Sequence, residues 1–230
     1  REEFQAHNQE IVTAKVSRVD PETKDAIVEI GKAQEPLFRS EQIPNETLLP
    51  GMLIKVYIAG VADAKEGRRG PRVTISRTHP GLVKRLFESE VPEIYDGTVE
   101  IKAVSREAGS RTKIAVYSAD ENVDAVGACI GPRGARVGKI VDMLYGEKID
   151  IVKYSDDPKE FIAASLAPAE VISVTIDENA EKSCRVIVPD LQLSLAIGNK
   201  GQNARLAAKL TGWKIDIKPE SGKTDPSVEL

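Results

Sequence analysis

The sequence predicts a multidomain α+β protein, a small five-stranded β-barrel followed by two copies of one α/β unit. Residues 10–77 carry only short β-type runs separated by turn signals. The stretches CIGPRGARVGKIVDMLYGEKIDI (129–151) and AIGNKGQNARLAAKLTGWKIDI (196–217) then follow one pattern of residue types, with a single-residue insertion separating the copies. Each has an apolar residue, a glycine, two outward-type residues and a second glycine, then an amphipathic run and Lys-Ile-Asp-Ile. A repeat of this kind reports one supersecondary unit used twice. The 230 residues suffice for two or three small domains, each with its own core.

In the first part, Val12, Ala14 and Val16 alternate with polar partners, residues 20–25 form a turn, and Ala26 to Ile30 is rich in β formers. Met52 to Val61 follows the Pro50-Gly51 turn signal, and Arg72 to Ser76 turns Val73 and Ile75 inward. The polar loop from Asp63 to Gly70 joins these two as a hairpin with a basic tip. About five short strands in so short a span suit a closed barrel, which removes exposed edges; the OB barrel is the commonest solution. Its sheet face is a surface for single-stranded nucleic acid. Phe38 and Tyr57 are candidate stacking platforms there, with Lys55, Arg68, Arg69 and Arg72 meeting phosphates. The competing reading makes both aromatics core or rim residues.

His79-Pro80-Gly81 starts a new element. Leu82, Val83, Leu86 and Phe87 fall at helical spacing, so a short amphipathic helix runs to about Ser89, and Val91-Pro92 breaks it. Val99 to Ala103 and Thr112 to Tyr117 read as a hairpin ahead of the first repeat. The second repeat has matching lead-in elements: a helix over Phe161, Ile162 and Leu166 after the capping sequence Asp156-Asp157-Pro158, then strands at 171–176 and 184–188. The full repeated unit is therefore helix, strand, strand, helix, G-x-x-G, helix, strand. From Pro219 onward the chain lacks periodicity and reads as a tail.

Each G-x-x-G links two helical runs. Glycine lacks a Cβ, so a sugar-phosphate chain can come against the backbone, and the following helix start offers free N–H groups and a positive dipole end. Pro132-Arg133 and Asn199-Lys200 point away from the core, each pair offering one cation. Such a loop positions a phosphate backbone, whereas reading bases needs a neighbouring groove. The helices and the last strand of each unit wall that groove, with Ile149 and Ile215 as candidate wall residues against a core-packing alternative. Trp213 reads as a packing residue. One G-x-x-G is a weak signal; two in the same setting are specific. No Walker A loop and no G-x-G-x-x-G after a strand is present.

The formal charge of −4 argues by itself against a nucleic-acid partner. Its distribution weakens that argument. Lys65, Arg68, Arg69, Arg72 and Arg77 crowd one stretch, and Lys200, Arg205, Lys209, Lys214 and Lys218 another, while Glu88, Glu90, Glu93 and Asp96 collect elsewhere. Cys129 and Cys184 have no C-x-x-C and no neighbouring His, so reduced buried thiols are expected rather than a metal site. No metal or other cofactor is expected. The lack of an apolar leader or an apolar run long enough for a membrane span points to the cytoplasm, and the missing initiator Met suggests a fragment of a longer protein.

The stretches SRTHPGLVKRLFE (76–88), VGACIGPRGARV (126–137), GEKIDIV (146–152), LAIGNKGQN (195–203) and RLAAKLTGWKIDI (205–217) carry a family resemblance. The repeats look like KH domains of type II, the barrel is similar to the ribosomal S-one type of OB barrel, and the whole resembles the NusA family of bacterial transcription factors. The resemblance implies the boundaries 1–78 for the barrel, 79–154 and 155–219 for the KH domains, and 220–230 for the tail. It implies a non-catalytic, monomeric module that binds single-stranded nascent RNA within an RNA polymerase complex, acting on pausing, termination and antitermination. Carried over residue by residue, the RNA clamp is Gly131, Pro132, Arg133 and Gly134, and Gly198, Asn199, Lys200 and Gly201; Arg136, Gln202, Asn203 and Arg205, just after the loops, are further expected RNA contacts. The family's polymerase-docking N-terminal domain and any acidic C-terminal repeats are missing from this sequence. Two other readings remain open: an enzyme acting on RNA, for which no clustered carboxylates or paired nucleophile speak, and a protein-interaction scaffold, which the acidic charge favours.

Overall fold

The computed structural model describes residues 9–62 and 72–222. The chain falls into two compact units, one of Arg1–Glu90 with Ala108–Ser110 and Ile140–Glu147, the other of Val91–Glu107, Arg111–Lys139 and Lys148–Leu230.

In the first unit, β1 (Ile11–Val19), β2 (Ala26–Ile30), β3 (Ala33–Leu37), β4 (Leu53–Ala62) and β5 (Arg72–Ser76) form one sheet in the order β3-β2-β1-β4-β5, antiparallel throughout. The outer strands β3 and β5 come back to one another, so the sheet curls into a nearly closed barrel of OB type. Alternate residues fill it: Ala14 and Val16, Ala26 and Val28, Ile54, Val56 and Ile58, Val73 and Ile75, with Leu37 and Leu48. Bulges between Val16 and Arg18 and between Ile58 and Gly60 supply the local bending that closure needs. The strand absent from the sequence reading is β3, which Pro36 disguises; a residue without an N–H is tolerated because this strand ends the ladder.

The expected basic hairpin tip, with Lys65, Arg68 and Arg69, lies outside the described residues. Arg77 does not belong to a basic surface at all. It is 3% exposed, paired in bidentate fashion with Glu46 at 2.7–2.9 Å, and donates to the Lys55 carbonyl. After it, α1 (Pro80–Glu90) buries Leu82, Val83, Leu86 and Phe87.

The second unit begins where a break was expected. Pro92 opens the one-turn helix α2 (Pro92–Tyr95), because at a first helical position proline forfeits no hydrogen bond. β6 (Val99–Glu107) and β7 (Arg111–Ser118) form a hairpin, α3 (Ala125–Ile130) and α4 (Ala135–Met143) follow, and β8 (Lys148–Lys153) returns parallel to β7. The order recurs with α5 (Pro158–Ser165), β9 (Ser173–Ile176), β10 (Ser183–Val188), α6 (Leu193–Ile197), α7 (Gln202–Thr211) and β11 (Lys214–Pro219), the last parallel to β10. Asp157 caps α5 by accepting from the Lys159 amide, with Pro158 at its first position.

Helices of the second repeat lie on the first repeat's sheet. Phe161 of α5 and Leu210 of α7 pack with Ala115 and Val152, and Ser105 Oγ donates to the Leu206 carbonyl at 2.8 Å. Lys113 is wholly buried beneath this layer, its ammonium 2.9 Å from Asp150 and 2.7 Å from the Ala167 carbonyl. Desolvation pulls its pKa below the ordinary lysine value, opposed by Asp150.

The Lys-Ile-Asp-Ile repeat places Asp216 opposite Arg185 as it places Asp150 opposite Lys113. On the second sheet the pair stays in water, with side chains 64% and 51% exposed beside exposed Lys214 and Lys218. Lys218 also stands where the first sheet has Val152.

Candidate nucleic-acid interface

The two G-x-x-G loops adopt one conformation. In the first, Gly131 closes α3 at φ 75°, ψ 171°, and Arg133 and Gly134 follow at φ 56° and 73°. In the second, Gly198 closes α6 at φ 81°, ψ 169°, followed by Lys200 at 54° and Gly201 at 73°. The amide of each second glycine donates to the carbonyl of the first at 3.1 Å, holding the turn shut.

The two glycines of each loop are needed for different reasons. A Cβ on Gly131 would stand 2.6 Å from Arg136 Cγ, and one on Gly198 would stand 2.6 Å from the Asn203 nitrogen. These glycines let the two helices close on each other. A Cβ on Gly134 would meet nothing within 4 Å, so there it is the left-handed backbone that selects glycine, and the outer side stays bare.

Between the glycines, Arg133 and Lys200 hold left-handed conformations that side chains with a Cβ adopt at some cost. Both are exposed, as are Pro132 and Asn199, and among the described residues no acid pairs with the Arg133 guanidinium or the Lys200 ammonium. Strained residues presenting free cations are a functional signature. α3 runs next to β8 and α6 next to β11. Ile149 is half-buried on β8; Ile215 on β11 packs with Trp213 and Ile217 against the second repeat's core.

The residues after the loops have other engagements. Arg136 donates to the Ala128 carbonyl at 2.7 Å and to Glu93 at 2.8 Å. Asn203, 4% exposed, donates to the Ala196 and Leu166 carbonyls and so ties α7 to the helix before the loop. Arg205 grips Glu107 through two nitrogens at 2.7 and 2.9 Å, which holds the Glu107 carboxyl below its usual range and raises the guanidinium further; Gln202 lies 3.5 Å from the same carboxylate. Glu107 and Glu93 were invisible as site residues in the sequence, because nothing near them in the chain marks them as partners of the loops.

The barrel candidates separate. Phe38 is 49% exposed beside the turn Arg39–Glu41, and Lys55 is exposed on β4, bonded to Thr13 Oγ1 at 2.7 Å. Tyr57 is 7% exposed: the His79 ring stacks on it at 4.6 Å, and a Cβ on Gly81 would collide with it. The face a base would need is occupied, so Tyr57 is a packing residue rather than a platform. Arg68 and Arg69 lie outside the described residues, and of Arg72 only the backbone in β5 is described. Cys129 and Cys184 are buried and unpaired, their thiol pKa values pushed up by burial to about 12 and about 11. No group of three or more His, Cys, Asp or Glu able to hold a metal occurs among the described residues.

A helix, a G-x-x-G turn and a second helix beside the parallel strand of a three-stranded sheet, present twice after an OB barrel, define a tandem type II KH protein. Residues 77–154 match the model of the NusA-like first KH domain and residues 158–225 that of the second. The chain is 57% identical over 219 residues to the "Transcription termination/antitermination protein NusA" of Bacillus subtilis, covering 95% of this chain and 57% of that protein. It is 48% identical to the protein of that name from Mycobacterium bovis, covering 98% of this chain and 67% of the relative. For the Thermus thermophilus protein the identity is 47%, over 93% of this chain and 54% of the relative. The chain belongs to the NusA family. It spans a little over half the length of the first relatives it matches, 56% and 57%.

Proposed function

We propose that this chain is the non-catalytic RNA-binding part of a cytoplasmic transcription factor that holds nascent single-stranded RNA and thereby acts on polymerase pausing, termination and antitermination. The observation that carries the reading is the pair of loops with matching backbone angles, each lifting one unpaired cation, Arg133 or Lys200, over a bare glycine backbone. Gly131, Pro132, Arg133 and Gly134 take one stretch of sugar-phosphate, and Gly198, Asn199, Lys200 and Gly201 another. Two weak clamps in one compact unit give a high effective concentration for the second contact once the first is made. On the barrel, Phe38 offers a stacking face and Lys55 a cation to RNA. Arg136 and Asn203 serve the clamps from behind, through the carbonyls they hold. Contact with RNA polymerase belongs to the same reading, through the family's N-terminal domain.

Replacing Pro132-Arg133 and Asn199-Lys200 by aspartates tests it. Circular dichroism should stay unchanged while binding to single-stranded RNA falls strongly and its salt dependence flattens. Unchanged affinity would refute the clamps.

A further inference from the structure

Glu107 ends β6 in the first KH repeat, yet the side chains that reach its carboxylate belong to the second. Its carboxylate accepts from Arg205 Nε and Nη2, and the remaining guanidinium nitrogen, Nη1, donates to the Lys200 carbonyl at 3.0 Å. One arginine therefore connects a carboxylate of the first repeat to the left-handed residue at the middle of the second loop. Gln202, next after Gly201, approaches the same carboxylate.

The first loop is braced from inside its own repeat, by Arg136 between the Ala128 carbonyl and Glu93 of α2. The two braces are not copies of each other. Arg136 stands where the second repeat has Asn203, and Arg205 stands where the first has Gly138. The bidentate geometry fixes the guanidinium plane, which a monodentate lysine contact would not do.

We propose that Glu107 is a positioning residue for the second G-x-x-G loop: it fixes Arg205, which holds the Lys200 backbone at the height where the second clamp continues the first. The inference rests on the loops being RNA clamps. It also reassigns Arg205, whose guanidinium is committed to Glu107 and to a loop carbonyl, from phosphate contact to support.

The two roles for Arg205 predict opposite signs for Glu107→Gln. A brace loosened at Glu107 weakens RNA binding, by about fivefold for an exposed bidentate pair; an arginine merely neutralised by Glu107 would be released to bind phosphate more tightly. The experiment compares wild type, Glu107→Gln, Arg205→Gln and the double variant by RNA affinity, salt slope and site-resolved protection of bound RNA. The inference expects lost protection at the second loop alone, an unchanged salt slope, and a double variant no worse than either single one. Unchanged or tighter binding by Glu107→Gln, additive losses, or a shallower slope for Arg205→Gln would each overturn it. Thermal unfolding of each variant controls for the fold, and Glu93→Gln, expected to affect the first loop alone, is a second internal comparison; equal loss at both loops in Glu107→Gln counts against the inference. If wild type binds no RNA, or the aspartate loop variant binds as wild type does, the underlying reading fails instead.

Discussion

Lys200→Gly separates stability from function at one residue. Lys200 sits at φ 54°, ψ 30°, where a residue with a Cβ is strained by about 1–2 kcal/mol. Glycine removes that strain but adds about 0.5–1 kcal/mol of unfolded-state entropy, so the net stability change lies between about zero and 1.5 kcal/mol in favour of the variant. The Lys200 carbonyl, and with it the bond from Arg205, survives the substitution, so only the ammonium is lost. One neutralised phosphate contributes about 0.7 to the salt slope on a single strand, equivalent to about fivefold in affinity at 0.1 M salt. Arg133→Gly should act alike at the first loop, and the two together should lower affinity by about 25-fold and the slope by about 1.4. Chemical unfolding and salt-titrated RNA binding read the two effects separately. Destabilisation of Lys200→Gly by more than 1 kcal/mol, or unaltered RNA affinity, would refute the assignment of this residue as a strained cation lifted for a ligand.

The paired glycines should differ in the same assay. Gly198→Ala meets the Asn203 backbone in a region of φ/ψ space that only glycine visits freely, and should cost about 1–3 kcal/mol. Gly134→Ala, with open space around the added methyl, should cost only about 1 kcal/mol, the left-handed strain itself. Lys113→Ala removes one partner of a buried ion pair and empties its volume, and should destabilise the second unit by about 3–5 kcal/mol; Lys113→Met, which refills the space, should cost less in the same denaturant series. The Glu107 carboxyl is held below its ordinary value by Arg205, so its stabilising contribution is complete above the unfolded value of about 4.3 and is lost as pH falls through the lower folded value. Unfolding midpoints of wild type and Glu107→Gln should therefore converge in strong acid, and a gap that widens there would contradict the pairing.

The sequence carried the architecture because its signals are local. The strands β1, β2, β4 and β5 announce themselves by alternation, the loops by glycine spacing, and the repeat by its own copy. β3 escaped because a proline in a ladder-ending strand reads as a loop, and α2 because Pro92 both ends one pattern and starts another. Tyr57, left open between stacking and packing, and Arg77, grouped with the basic stretch, share one difficulty: both lie in or beside β-type stretches where alternation does not decide which face another element covers. His79 and Glu46, distant in the chain, cover them.

By itself the sequence determined that two G-x-x-G loops exist, that each carries one cation, and which family they belong to, since spacing and residue type are written along the chain. Only the tertiary structure decided which charges are available. Lys113 and Arg77 are buried with acids, Arg136 and Arg205 are held by Glu93 and Glu107, and Arg133 and Lys200 alone among these six stand in solvent without a paired acid. It also decided that the first sheet is covered by helices of the second repeat while the matching residues of the second sheet are exposed, although both carry Lys-Ile-Asp-Ile. The reason is that pairing and burial depend on residues brought together from across the chain, and a charge keeps its strength toward a ligand only where no such neighbour has neutralised it.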